Sequence, residues 1–166
     1  MKNSRNLDFW LTLILLLATA ISSIVAYIFW YSLLFFVGSY LFIHWLGLIA
    51  TIFVVVSTPI HYILKRKRPQ NSKRILKFHV FGNLLAFLVI SLHFAQNIGR
   101  LSGAFERLGE GFALYLLLTL IVASGVVERF QTSGKLRRYI KAIHKYAVIA
   151  LIVVMIIHVL DGFNFL

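Results

Sequence analysis

The stretch FHVFGNLLAFLVISLHF, residues 78–94, is apolar along nearly its whole length and carries a histidine near each end, His79 and His93. A second stretch, IHKYAVIALIVVMIIHVL at residues 143–160, repeats this arrangement with His144 and His158. An α-helix needs about 20 apolar residues to cross a hydrocarbon core roughly 30 Å thick. Both stretches are therefore predicted to be membrane-spanning helices that carry ionisable side chains.

Three more apolar segments extend this pattern to an all-α integral membrane bundle of five transmembrane helices. The chain has 166 residues, of which 60% are hydrophobic and only 13% are charged. Such a composition is typical of a multi-pass membrane protein in contact with lipid. We expect a single transmembrane domain, residues 1–166, with spans near residues 9–36, 40–63, 78–97, 111–128 and 142–160.

The basic residues predict how the spans are oriented. The formal net charge is +12, and all but two of the 17 basic residues fall on one predicted side of the membrane. By the positive-inside rule that side is cytoplasmic, so the amino terminus is expected inside and the carboxyl terminus outside, in the cell membrane. Since topology accounts for the charge, no nucleic-acid partner is expected. The basic residues assigned to the inner side are Lys2, Arg5, Lys65, Arg66, Lys67, Arg68, Lys73, Arg74, Lys77, Arg129, Lys135, Arg137, Arg138, Lys141 and Lys145.

The spacing of the four histidines predicts two layers. Each pair is separated by about four helical turns, to within about 40°, which corresponds to a rise of roughly 21 Å. The third and fifth spans run parallel because one span separates them. His79 is then level with His144 near the inner side, and His93 is level with His158 near the outer side.

Two matched imidazole layers are the geometry that two bis-histidine haems require. Intramembrane histidines are costly and usually functional, and imidazole is a suitable axial ligand in a chain without cysteine. The absence of cysteine also excludes iron–sulfur clusters and covalent c-type attachment, so the expected cofactors are two haems b. Histidines that only bond to neighbouring helices are the alternative, and two matched pairs favour haem over it.

Other side chains are assigned from their position relative to these layers. Gly82 and Ala86 lie on the face of His79 and His93, where small residues leave room for a flat macrocycle, although ordinary helix packing explains them equally well. Arg100 and Arg107 are the only basic residues on the outer side, and we expect them to meet the haem propionates there.

The two remaining histidines do not repeat the spacing. His44 and His61 are about 100° out of phase on a helix, so they are predicted not to serve one face of it. His61 is expected at the inner interface. His44 is expected either to make a structural hydrogen bond or to contact a haem edge, a protein partner or a quinone, which is a further candidate cofactor.

Residues 73–160 resemble the transmembrane haem domain of the ferric reductase and NADPH oxidase superfamily and, more loosely, respiratory and hydrogenase-linked cytochromes b. The resemblance lies in the two histidine pairs and in the segments KRILKFH, residues 73–79, and RRYIKAIH, residues 137–144. It implies di-haem binding. The chain departs from the reductases because the sequence has no sixth span, no flavin domain and no glycine-rich dinucleotide motif. We therefore expect a separate redox protein partner or a larger complex.

The predicted function is transmembrane electron transfer by a cytochrome b subunit, with no independent enzyme activity assigned. A proton or metal-ion transporter that uses the intramembrane histidines is one alternative. Its weakness is that the five carboxylates fall at or outside the span ends; they are Asp8, Glu106, Glu110, Glu128 and Asp161. A structural membrane subunit without a cofactor is the other alternative, and it leaves the matched spacing unexplained.

Overall fold

The computed structural model describes residues 2–100, 109–130 and 134–162, with side chains described for 6–100, 109–130 and 134–161. The chain divides into two compact units, residues 1–100 and 101–166. Both units are helical, and each is described by itself below.

The first unit contains three long helices, α1 (Lys2–Ile28), α2 (Phe42–Lys67) and α3 (Ser72–Arg100). The third helix packs against both of the others. A short 3₁₀ segment, Pro69–Asn71, separates α2 from α3. Its proline lacks an amide hydrogen and fixes the backbone, which favours a helix boundary between two basic segments.

The connection from α1 to α2 differs from the predicted first span, which was expected to reach residue 36. The first helix ends at Ile28 and is followed by a 3₁₀ turn at Trp30–Leu33. A short β-hairpin comes next, in which the two-residue strand β1 (Phe36–Val37) pairs with the two-residue strand β2 (Tyr40–Leu41). Gly38 has a φ of 64°, a left-handed conformation that glycine adopts without steric cost. The Trp45 indole donates a hydrogen bond of 2.9 Å to the Val37 carbonyl and ties the hairpin to α2.

Two glycines of α3 allow its close contacts with the neighbouring helices. A Cβ atom added at Gly99 would lie 2.8 Å from the Tyr27 carbonyl oxygen of α1, and one added at Gly82 would lie 2.6 Å from Cζ of Phe53 in α2. In lipid, helices associate largely through van der Waals packing, because the hydrophobic effect does not drive them together. Small residues such as these glycines let the helices approach closely enough for that packing. The face of α3 that carries His79 and His93 is the one directed at α2.

The second unit is a pair of packed helices, α4 (Gly109–Phe130) and α5 (Gly134–Gly162). Gly134 has a φ of 64° and begins α5. Ala147, Leu151 and Met155 recur at every fourth position along α5 and are all buried. They follow the side of the helix on which His144 and His158 lie, because steps of three, four and seven positions return to one helical face.

Within the described residues, each of the five long helices is apolar enough to cross a membrane. The prediction of an all-α multi-pass membrane protein with five spans is confirmed at this level. The helices extend beyond most of the predicted bounds, since α3 begins at Ser72 rather than near 78 and α5 begins at Gly134 rather than near 142. Hydropathy marks the apolar part of a helix, whereas the hydrogen-bonded helix continues into the basic segments.

Candidate functional site

Two histidines of α2 meet the two candidate ligands of α3, one pair at each end of the contact between these helices. The basic-end pair, His61 and His79, lies close to the basic connection between α2 and α3. Its rings are stacked, with centroids 4.2 Å apart and an interplanar angle of 23°. The far-end pair, His44 and His93, meets edge to face, with centroids 5.2 Å apart and an angle of 72°.

The basic-end pair belongs to a polar network that joins the two helices. The Asn83 amide nitrogen lies 3.0 Å from Nδ1 of His79, and the Ser57 hydroxyl donates to the Asn83 amide oxygen at 3.1 Å. A flip of the amide exchanges both roles: the oxygen then accepts from Nδ1–H, and the amide nitrogen donates to Ser57. In that arrangement His79 keeps the Nε2 lone pair that a metal ligand requires.

The far-end pair is held differently. The Asn97 amide nitrogen donates to the His93 carbonyl at 2.9 Å and lies 3.3 Å from Nε2 of the same histidine. The Asn97 oxygen accepts from Arg100 at 3.3 Å, so these hydrogen bonds of Asn97 join residues of α3. From α2, Gly47 provides space for the ring, because a Cβ atom there would lie 3.1 Å from Cγ of His93.

His144, in the first half of α5, is oriented by α4. Its Nδ1 atom lies 3.1 Å from the Ile121 carbonyl oxygen and 3.0 Å from the Ser124 hydroxyl. A carbonyl oxygen only accepts, so this contact places the proton on Nδ1 and leaves a lone pair on Nε2. Gly125 makes room for the ring, since a Cβ atom there would lie 3.3 Å from Cε1 of His144.

His158, near the other end of α5, has an acidic neighbour at the start of α4. Its Nδ1 atom lies 3.9 Å from a Glu110 carboxylate oxygen, and both side chains are about two-fifths exposed. A Cβ atom at Gly111 would lie 3.6 Å from Cε1 of His158. The carboxylate lies on the Nδ1 side of the ring, at a distance longer than a hydrogen bond.

These surroundings fit imidazoles that serve as axial ligands. A metal-bound histidine usually donates its second ring N–H to a carbonyl, a carboxylate or a comparable acceptor, which fixes the tautomer and the ring. His144 has such a partner in the Ile121 carbonyl. His79 has one when the Asn83 amide is flipped, and at His158 the Glu110 carboxylate lies on the Nδ1 side at 3.9 Å, which is longer than a hydrogen bond. At His93 the Asn97 amide lies near Nε2, so ligation through that atom requires Asn97 to withdraw.

The side chains assigned to haem contacts have the following surroundings. Gly82 faces the Phe53 ring of α2, and Ala86 is buried on the same side of α3. Arg100 is exposed at the end of α3 and bonds to Asn97. Arg107 lies outside the described residues. The contacts of all four residues with a haem stay predictions.

His44 and His61 correct one expectation. They were predicted not to serve one face of α2, yet each contacts a histidine on a single face of α3. Two side chains about 100° apart can both flank a line of helix contact, each about 50° to one side. For His61, the prediction of an interfacial position does not include its contact with another histidine. Its ring is partly buried against His79.

Sequence reasoning missed several of these partners, although the spacing contains them. Asn83 and Asn97 each follow a candidate ligand at the fourth position, so the His-x-x-x-Asn unit is repeated at the same step as the histidines themselves. Likewise Gly111 and Gly125 of α4 are separated by that same step and face His158 and His144. A search for other residues that share the histidine period would have found both sets.

The basic end also holds a polar contact between α1 and α3. Nζ of Lys77 lies 2.9 Å from a carboxylate oxygen of Asp8, whose side chain is largely buried. This ion pair neutralises Lys77 and joins α1 to α3 at the basic end.

Among the residues described, no cluster of three or more histidine, aspartate or glutamate side chains could hold a metal ion. Comparison of the chain with protein-family models, curated proteins and solved structures finds no match.

Proposed function

We propose that this protein conducts electrons across a membrane through two b-type haems, each held by two histidines. His79 and His144 would ligate the basic-end haem, and His93 and His158 the far-end haem. The observation that carries this proposal is the position of His144 Nδ1, 3.1 Å from the Ile121 carbonyl, in a chain whose histidine pairs share one spacing on two apolar helices.

Bound haem supplies one-electron chemistry at its iron, and its reduction potential depends on axial ligands, burial and nearby charge. The protein residues contribute ligation through Nε2 and orientation through the groups at Nδ1. Along α3 the two proposed ligands are separated by about 21 Å of helix rise. The two haem layers would therefore lie towards opposite sides of a hydrocarbon core roughly 30 Å thick. A redox protein partner, a larger complex or a quinone would exchange electrons at either end.

A purified preparation tests the proposal directly. Reduction should produce the Soret and α bands of a b-type haem, and extraction should yield two haems for each chain. A preparation from haem-sufficient cells that lacks these bands would reject electron transfer. Proton or zinc flux into vesicles containing that preparation would then distinguish transport from a purely structural subunit.

Electron transfer across the membrane needs a second assay. Vesicles that contain the protein and trapped ferricyanide are treated with external dithionite, which is a membrane-impermeant reductant on the time scale of the measurement. Bleaching of ferricyanide should require the protein and should be lost in His79→Ala. Equal rates with and without the protein would contradict transmembrane conduction.

The proposed orientation places the amino terminus and the basic connections in the cytoplasm of a cell. The chain has no cysteine, so a single introduced thiol reports one position. Ser39→Cys, in the exposed turn between β1 and β2, should react with an impermeant maleimide added to intact cells. Asn71→Cys, between α2 and α3, is the matched control and should react only after lysis. The reverse pattern would invert the orientation.

A further inference from the structure

We infer that His61 and His44, the two histidines of α2, are positioning residues that set the ring orientation of the proposed axial ligands His79 and His93. This inference rests on the proposed function, because it concerns the same haem sites. It assigns a role to two intramembrane imidazoles that the ligand sets do not use.

The ring separations argue against His61 and His44 as trans ligands in these positions. Two imidazoles on opposite sides of one iron, each bonded at roughly 2.0 Å, have ring centroids about 6 Å apart or more. The basic-end centroids are 4.2 Å apart and the far-end centroids 5.2 Å apart, so both pairs are too close for an iron and a macrocycle between them. Direct ring contact is what the geometry provides.

At the basic end the contact restrains rotation of the ligand ring. His61 covers one face of the His79 ring at an angle of 23°, while Asn83 holds its edge at Nδ1. Rotation of His79 about its Cβ–Cγ bond would break the stacking and the hydrogen bond together. Asn83 lies on α3 and accepts a hydrogen bond from Ser57 of α2, so α2 supplies one restraint through His61 and supports the other through Ser57.

At the far end the contact is weaker as a restraint. His44 meets His93 at 72°, an edge-to-face arrangement that covers less of the ring, and the polar neighbour Asn97 belongs to the same helix as His93. The two ligand rings of α3 therefore meet the histidines of α2 in different geometries. Since the angle between two axial imidazole planes governs the g-values of a low-spin ferric haem, the two haems should give distinct electron paramagnetic resonance signals.

The test measures these signals, and the haem content, in full-length variants of His61. His61→Phe keeps an aromatic ring on His79, whereas His61→Leu keeps similar bulk without a ring. We expect two haems per chain in both variants, with the largest g-value of the basic-end haem shifted by more than its linewidth in His61→Leu and unshifted in His61→Phe. The far-end signal should be unchanged in both, and His79→Ala identifies which signal belongs to the basic end.

The corresponding far-end variants, His44→Leu and His44→Phe, should give a smaller shift of the far-end signal only. Unshifted g-values in His61→Leu with two haems retained would overturn this inference while leaving electron transfer intact. Loss of one haem in both His61 variants would also overturn it, since His61 would then be a ligand. A wild-type protein without haem signals would instead overturn the proposed function.

Discussion

The basic-end and far-end histidine pairs are built from the same two helices, yet they restrain the α3 histidine differently. At the basic end, His79 is stacked on His61 of α2, and its α3 neighbour Asn83 accepts a hydrogen bond from Ser57 of α2. At the far end, His93 meets His44 of α2 edge to face beside Gly47, and its α3 neighbour Asn97 bonds to Arg100 of the same helix.

The difference shows that equal sequence spacing does not make two sites equal. The His-x-x-x-Asn unit occurs at both ends, but only for Asn83 does the structure give a hydrogen bond to a residue opposite it on α2. A hydrogen bond between two helices depends on how the helices are placed relative to each other, whereas a bond within one helix does not. We therefore expect the basic-end site to depend more strongly on second-helix residues than the far-end site does.

The largest expected effects come from the ligands themselves, and they test whether the two ends are independent. His79→Ala or His144→Ala should remove the basic-end haem, and His93→Ala or His158→Ala the far-end haem, because a single axial imidazole leaves an incomplete site. The haem content of each purified variant should fall from two to one per chain.

The control for these four variants is His44→Ala, which should retain two haems. Full haem content in all four ligand variants would reject the assignment. Loss of both haems from each single variant would show that the two ends are one cooperative site.

The next effect distinguishes the two asparagines. Asn83→Leu removes the group that holds His79 Nδ1 with little change in volume, so haem affinity at the basic end should fall by about 10- to 100-fold. Asn97→Leu is the matched variant at the far end. It should weaken affinity less, because the Asn97 amide lies 3.3 Å from Nε2 of His93, the proposed ligand atom, and would have to withdraw for ligation.

Haem titration of the haem-free protein measures both affinities. Equal losses in the two variants would remove the proposed distinction between the ends. Combining Ser57→Ala with Asn83→Leu should cause no further loss of haem affinity, because Ser57 acts through Asn83.

A smaller effect separates packing from ligand position. Gly82→Ala places a methyl group 2.6 Å from Cζ of Phe53 and should lower the stability by about 1 kcal/mol, since overpacking outweighs the gain in helix propensity. Thermal unfolding in detergent measures this loss, and combination with Phe53→Leu should recover part of it as a non-additive term.

Gly47→Ala is the matched variant at the far end. The added methyl group lies 3.1 Å from Cγ of His93, so it should displace the ligand ring and change the far-end haem spectrum. An unchanged far-end haem spectrum in Gly47→Ala would contradict this packing assignment.

The smallest expected effect concerns the ion pair at the basic end. Asp8→Asn removes the 2.9 Å contact with Lys77 and should cost about 0.5–1 kcal/mol, a modest value because the lysine is half exposed. Glu128→Gln is the control, since its 3.7 Å contact with Lys141 is longer and more exposed. Thermal unfolding at low and high salt compares them, and an equal loss in both variants would contradict the ranking.

The number and type of helices could be predicted because runs of about 20 apolar residues have few other stable structures in lipid. The end of α1 could not, because WYSLLFFV at residues 30–37 is as apolar as the helix before it. The turn depends on Gly38 and on pairing of Phe36 with Leu41, and hydropathy does not detect either feature. Aromatic anchors suited to an interface occur in the same segment.

The candidate ligands could be proposed from periodicity alone, but their neighbours could not. Helical phase within α2 predicts that His44 and His61 do not serve one face. Both nevertheless contact α3, because contact between helices depends on where the second helix lies relative to the two side chains. The acceptor for His144 is the backbone carbonyl of Ile121, which has no signature in side-chain sequence. Packing of two particular helices determines both features.

The carbonyl of Ile121 has a consequence for assembly. A His144 side chain that already donates to this oxygen has lost most of its rotamer freedom before any cofactor arrives. The entropy of ordering that ring is therefore part of the free energy of folding rather than of binding. In a newly inserted chain, His144 should therefore meet the proposed haem with its ring already oriented.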